Sequence, residues 1–177
     1  MDGSRFANAL ATLQVAPRTI TWEAGVDVLT FGGTKSGMAV GEAVVFFNRQ
    51  LADEFDYRCK QAGQLASKMR FLAAPWLGML RSGAMLRHAA HANDCAQRLA
   101  AAVAAFPGVK VVHPCQGNAV FLSLPPHLID GLRARGWVFY TFIGSGQARF
   151  MCSWSTTEAD IAALAADFRE IAGEGTD

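Results

Sequence analysis

No run of basic residues and no acidic tail appears anywhere in the sequence. Its 16 Lys and Arg stand against 15 Asp and Glu, a formal net charge of +1, which excludes the electrostatic footprint of a nucleic-acid binder. Long hydrophobic runs are missing as well: each apolar stretch is broken by Arg, Lys, Gln or Asp before it reaches membrane-spanning length. The opening MDGSRFANAL has an acid at position 2 and no apolar segment, so it does not read as a secretory signal. Cysteine is sparse and scattered. Cys59, Cys95, Cys115 and Cys152 form no CxxC pair and read as free thiols of a reducing cytoplasm. Phosphate and metal motifs are lacking too. The residue before Lys35 is Thr34, where a Walker loop needs glycine, and a dinucleotide fingerprint begun at Gly144-Ser145-Gly146 would need its third glycine where Arg149 stands. His88 and His91 lie three apart, but no carboxylate or thiol is placed to complete a metal site, so they read as surface or cap residues.

What is present is a globular composition, 51% hydrophobic and 18% charged in 177 residues, enough for one domain with a core or for two small lobes. Residues 5–14 have helical apolar spacing. DVLTF at 27–31 reads as a strand closed by Gly32-Gly33, and EAVVFF at 42–47 as a second strand. A helix is expected from Asn48, with Asn48 as its N-cap, and helical character continues to a kink or break at Pro75. The clearest periodicity is in 84–106. There Met85, Ala89, Ala92, Ala96, Leu99, Val103 and Phe106 form one stripe, Asp94 precedes Arg98 by four, and Pro107-Gly108 is the stop. Strands are expected at 109–113, 119–124, 137–143 and 148–154, and a short helix at 126–135. A final helix opens on the capping box Ser155-Thr156-Thr157-Glu158 and buries Ile161, Leu164, Ala165, Phe168 and Ile171. Trp76, Trp137, Phe139 and Tyr140 read as core or interface residues. This order suggests a small open sheet with helices on one side, and the composition shift near Arg81-Ser82-Gly83 suggests a lobe boundary.

One segment carries a chemical signal. Lys35 sits in the glycine-rich bend FGGTKSGM just after a strand. Glycines there let a bulky group approach the backbone, and an amine held in such a bend can condense with a carbonyl. A lysine in a solvated surface turn fits the same local sequence.

The segments MDGSRFANAL, GVDVLTFGGTKSGMAVGEAVVFF, FDYRCKQAGQLASKMRFLAAPWL and GWVFYTFIGSGQARFMCSW together resemble the threonine aldolase / β-eliminating lyase family. Within that family the low-specificity L-threonine and phenylserine aldolases look most similar. The resemblance implies an α/β fold: the C-terminal part of a large domain of the aspartate-aminotransferase type (fold type I), which binds pyridoxal 5′-phosphate (PLP), plus a small α+β domain. Residues 1–82 would be the remnant of the large domain and 83–177 the small one. The chain looks like the C-terminal half of a family member. The resemblance further implies that Lys35 is the Schiff-base lysine and that Asp2 contacts the pyridine nitrogen. Arg5 and Arg149 would grip the substrate carboxylate, and Thr34 would lend its hydroxyl to the phosphate. Position 4 is Ser where the family motif usually has Ala. None of His88, His91, His113 and His127 matches a catalytic position. The implied reaction is cleavage of L-threonine or a related 3-hydroxy-amino acid to glycine and an aldehyde, in a cytoplasmic homo-oligomer, a tetramer in the family. A β-eliminating lyase, or a non-catalytic fragment that serves folding or oligomer formation, remains an alternative. As it stands, the chain is expected to bind PLP poorly and to be weakly active or silent.

Overall fold

The computed structural model describes residues 1–141 and 147–174. The chain divides into two compact units, Met1–Ala89 and Ala90–Asp177.

In the first unit, β1 (Asp2–Gly3) leads into α1 (Phe6–Leu13). Strand β2 (Val28–Gly32) then forms the centre of a three-stranded sheet, parallel to β1 and antiparallel to β3 (Glu42–Phe46). Helix α1 buries Phe6, Ala7 and Leu10, the positions that share one face at 3.6 residues per turn. Phe6 and Leu10 pack on Leu29 of β2, with Ile20, Phe31, Val45 and Phe47 around them. A second small cluster gathers Ala7, Met85 and Ala89 with Phe31, Trp76 and Met79.

The segment after Asn48 differs from the continuous helix expected there. Asn48 does act as a cap, but of a 3-10 turn, Arg49–Ala52: its side-chain oxygen accepts from the Gln50 N–H at 3.2 Å. Helix α2 (Phe55–Gln61) starts afresh after Glu54, which takes a positive φ of 61°. Helix α3 (Arg70–Arg81) runs through Pro75 rather than stopping at it. It has no buried residue, so solvent can serve the carbonyl that the missing N–H leaves free.

In the second unit, β4 (Lys110–Val111), β5 (Ala119–Ser123) and β6 (Gln147–Met151) form an antiparallel sheet. Val120, Leu122, Ala148 and Phe150 alternate onto its covered face. Helix α4 (Ala84–Val103), within which the division between units falls, contributes Cys95, Ala96, Leu99 and Val103 to this core. Helices α5 (Pro126–Ala134) and α6 (Glu158–Glu174) add Leu128, Leu132, Ile161, Leu164, Phe168 and Ile171. The stripes read from residues 84–106 and 161–171 are therefore the buried ones, with Phe106 half-buried at the rim. Asp94 and Arg98 pair at 2.8 Å.

Two local expectations fail here. Residues 137–141 form no strand; Tyr140 makes a single bridge to Arg149, and 142–146 lie outside the described residues. The side chains of this stretch dock on helices instead of alternating: the Trp137 indole N–H donates to Asp167 at 2.6 Å, and the Arg133 guanidinium lies over the Phe139 ring. The capping box of α6 sits two residues later than expected. Thr157 and Asp160 exchange the bonds, with Asp160 N–H donating to Thr157 Oγ1 at 3.2 Å and Thr157 N–H donating to Asp160 Oδ2 at 2.7 Å. Glu158 is engaged elsewhere, on Arg98. Thr157→Ala should therefore cost about 1 kcal/mol in chemical denaturation, whereas Ser155→Ala should cost less than half as much.

All four cysteines are free thiols. Burial pushes the Cys152 thiol up to about 12, with Cys95 and Cys115 adding to the rise, so it is no nucleophile at neutral pH. No helix among the described residues is long and apolar enough to cross a membrane.

Candidate functional site

The candidate residues of the first unit gather at one end of its sheet because β1 and β2 are parallel. Both strands then deliver their following loops to the same edge, the carboxyl edge on which α/β sheets hold ligands. Asp2 lies beside Thr30, and Ser4 and Arg5 follow it. From β2, Gly32 leads into a single 3-10 turn, Thr34–Ser36. Backbone bonds from Ser36 and Met38 to the Gly33 carbonyl, at 3.0 and 3.2 Å, and from Gly37 to the Thr34 carbonyl, at 3.2 Å, define that turn. Gly37 ends it at φ 106°, a conformation that side-chain-bearing residues rarely adopt. Lys35 faces solvent from the turn, while Ser36 on its other side is buried.

The glycines ahead of the lysine do not leave room for a ligand, as the sequence suggested. The protein fills that space itself. A Cβ on Gly32 would lie 2.7 Å from Ser4 Cα, and one on Gly33 would lie 2.6 Å from Met38 Sδ and 2.7 Å from the Gly41 carbonyl oxygen. Gly32 thus lets the Asp2–Arg5 segment settle directly against the strand that carries the lysine turn.

Asp2 does not cap α1. Arg5 is the N-cap residue, and its side chain makes no capping bond. Instead Asp2 Oδ1 accepts from the Ser4 N–H at 2.9 Å. That bond, then the Ser4 hydroxyl, and then the positive charge of Lys35 hold the Asp2 carboxyl below the usual carboxylate range, so it is an anion at neutral pH. Arg5 is half-buried at the head of α1.

Thr34 is anchored. Its hydroxyl donates to Glu42 Oε1 at 2.7 Å and its N–H donates to the same oxygen at 3.3 Å. Glu42 can reach because it stands opposite Gly32 in the β2–β3 register, two residues short of Thr34. On the other side of the lysine, His88 Nδ1 lies 2.9 Å from the Ser36 carbonyl oxygen. Sequence reasoning missed both Glu42 and His88. Glu42 is an ordinary strand-end acid, and His88 lies 52 residues from its partner, with no local signal to link them.

Arg149 belongs to the second unit. It lies on the sheet face opposite the core, paired with Phe121 in β5, and its guanidinium sits 5.2 Å from the centre of the Tyr140 ring. Among the described residues, no three His, Cys, Asp or Glu side chains come together as metal ligands.

Known proteins resemble the chain in the same terms. The Beta-eliminating lyase family profile matches residues 1–125. A low specificity L-threonine aldolase of a Pseudomonas species is 64% identical over 171 residues, covering 97% of this chain and 49% of its own length. The low specificity L-threonine aldolase of Pseudomonas aeruginosa is 62% identical over 173 residues, with 98% and 50% covered. Among solved structures, the threonine aldolase of Leishmania major superposes with a TM-score of 0.85 at 25% identity, over 97% of this chain and 51% of that one. The chain thus spans about half the length of the curated relatives it matches. Its fold is that of the PLP-dependent fold type I enzymes. With a family profile over residues 1–125 and close relatives along nearly its whole length, the chain belongs to the β-eliminating lyase family.

Proposed function

We propose that this chain carries the lysine-bearing part of a PLP-dependent aldolase that cleaves L-threonine or related 3-hydroxy-amino acids to glycine and an aldehyde. One observation carries the reading: an ionised Asp2 and an exposed Lys35 amine stand at the carboxyl end of two parallel strands with the Lys35 charge acting on Asp2, and Arg5 follows β1 at the head of α1. The family's lyases and aldolases are PLP-dependent, and these side chains fit that cofactor. The amine can hold an aldehyde covalently, and the fixed anion can pair with a protonated ring nitrogen. When bound, PLP supplies the electron sink for the carbanion that Cα–Cβ cleavage leaves at Cα.

The chain's own residues then divide the work. Lys35 would hold the cofactor through its amine. Asp2, a carboxylate held ionised chiefly by Ser4, would favour a proton on the ring nitrogen. Arg5 offers a planar guanidinium fork that can bond an α-carboxylate in a bidentate way and so orient the bond to be broken, and the same role is proposed for Arg149 of the second unit by the family resemblance alone. Thr34 can serve a phosphate only by turning its hydroxyl away from Glu42, because its single proton is already donated there. In this reading residues 1–82 belong to the PLP-binding domain and 83–177 to the small domain, and the enzyme is a cytoplasmic homo-oligomer.

The test pairs this chain with the amino-terminal half of the 64%-identical Pseudomonas relative and supplies PLP and L-threonine. Glycine and acetaldehyde should appear in equal amounts, while the chain alone should release little of either. Ammonia without glycine would replace aldol cleavage by β-elimination. The absence of both products from a pair that binds PLP would overturn the proposal.

A further inference from the structure

The Lys35 turn is held from a distance by an imidazole to which no catalytic role attaches. Three backbone bonds of 3.0 to 3.2 Å close the turn on itself, but a single revolution of 3-10 helix is weak by geometry. Two side chains from other elements reinforce it, one on each side of the lysine. Glu42 takes the Thr34 N–H and hydroxyl ahead of Lys35, and His88 takes the Ser36 carbonyl behind it. The two supports differ in setting. Thr34 and Glu42 are exposed, where water can substitute for either partner. Ser36 is 3% exposed and His88 half-buried, so the carbonyl there has little access to solvent.

A carbonyl oxygen only accepts. The nitrogen that meets it must therefore carry the hydrogen, which fixes His88 in its Nδ1–H form. The bond also ties the first turns of α4 to the peptide immediately after the lysine, across 52 residues of sequence.

We propose that His88 is a positioning residue for Lys35: by donating from Nδ1 to the Ser36 carbonyl it fixes the turn, and so the direction in which the amine leaves the sheet. The proposal rests on the reading of Lys35 as the amine that takes PLP, but its first consequence, the ordering of the turn, can be measured without the cofactor.

Three substitutions test it. Asn places its amide nitrogen as many bonds from Cα as His Nδ1, whereas Gln places it where Nε2 lies. His88→Asn should therefore retain the bond, and His88→Gln and His88→Ala should lose it. Hydrogen exchange of the Ser36, Gly37 and Met38 amides should accelerate roughly tenfold in the Ala and Gln variants and stay close to the parent rate in Asn, on the scale of one lost hydrogen bond. In the parent, nitrogen-detected NMR should show the His88 ring protonated at Nδ1. A separate arm pairs the parent and each variant with the amino-terminal half of the 64%-identical relative and adds PLP with cyanoborohydride, which fixes the aldehyde carbon to an amine as a stable C–N bond. Peptide mapping then gives the share of label at Lys35 against Lys60, Lys68 and Lys110. That share should fall severalfold in Ala and Gln and recover in Asn.

Unchanged exchange and unchanged labelling in His88→Ala would overturn the positioning role, as would an Asn variant no better than Gln. If His88→Ala does not fold, the comparison of Asn with Gln decides alone. If the parent itself shows no preference for Lys35, the reading of that lysine fails, while the exchange and tautomer measurements still decide whether His88 holds the turn.

Discussion

Lys35→Ala is expected to abolish PLP capture at this site and to lower aldehyde release by the paired protein on the order of 10⁴-fold, the scale seen when a group that acts only in the chemical steps is removed. The lysine faces solvent and its side chain supports no core cluster, so the substitution should leave thermal stability within about 0.5 kcal/mol of the parent. Loss of function without loss of fold is the diagnostic combination. Lys35→Arg sharpens it. Arginine keeps the positive charge but does not deprotonate to a nucleophilic amine, so it should be as inactive as alanine. A role for Lys35 as mere counter-charge to Asp2 predicts the opposite, partial activity in the arginine variant. The two variants also separate at Asp2 itself. The Lys35 charge is one of the causes that hold the Asp2 carboxyl down, though it ranks behind the Ser4 bonds. In Lys35→Ala the Asp2 titration, followed by NMR, should move up towards the ordinary carboxylate value, and in Lys35→Arg it should move less. The Ser4 bonds persist in both variants, so Asp2 remains an anion at neutral pH and the drop in turnover cannot be assigned to its protonation. Retention of aldehyde release in either variant would remove the foundation of the proposed function.

The sequence made some of this legible and hid the rest for physical reasons. The stripes in α4 and α6 were readable because burial of one helical face repeats every three to four residues, even though Met85 and Ala89 of the α4 stripe meet a small cluster of the first unit and its later residues the core of the second. The strands 28–32 and 42–46 were readable from β-branched and aromatic content, the first also from the glycines it runs into. Residues 137–141 misled because their aromatic content is strand-like, while their partners, Asp167 and Arg133, are helix side chains remote in sequence. Register of this kind is a tertiary fact. The capping box was displaced by a competition that sequence does not rank: two overlapping boxes exist, and the ion pair of Glu158 with Arg98 selects the later one. At the candidate site, Lys35, Asp2 and Arg5 stood out through the combination of segments around them rather than through any one spacing. Parallel pairing of β1 with β2 is what brings them to one edge, and no local pattern encodes it. The glycines were correctly marked as places of close approach, but what approaches is Ser4, Met38 and Gly41 of the same chain.

The second unit should depend on one ring. Phe168 is fully buried in α6 and lies between two others: its ring centre is 6.1 Å from that of Phe106, nearly parallel, and 5.9 Å from that of Phe150. Phe150 in turn stacks on Phe139 at 4.5 Å, so a file of aromatic rings links β6 and α6 with the residues after α4 and α5. Phe168→Ala removes the fully buried member that joins Phe106 to Phe150. The rings on either side belong to different segments and cannot both move into the space, and the expected loss is about 3–5 kcal/mol, a large share of what a small unit has. Phe168→Leu fills most of the volume and should cost less than half as much. The loss should be local. Amide exchange should accelerate in 119–123 and 161–171, which line this core, and should change far less in 28–32, whose packing partners are Phe6 and Leu10. The second unit would then soften while the Lys35 turn, judged by the Ser36–Met38 amides, keeps its order. If those amides lost protection in step with 161–171, the two units would unfold as one cooperative body. Assigning Lys35, Asp2 and Arg5 to a lobe with its own stability would then have to be abandoned. If they stayed protected, substitutions in the Arg149 sheet could be read apart from the lysine's setting, and the substrate-binding role proposed for Arg149 could be tested separately from that proposed for Arg5.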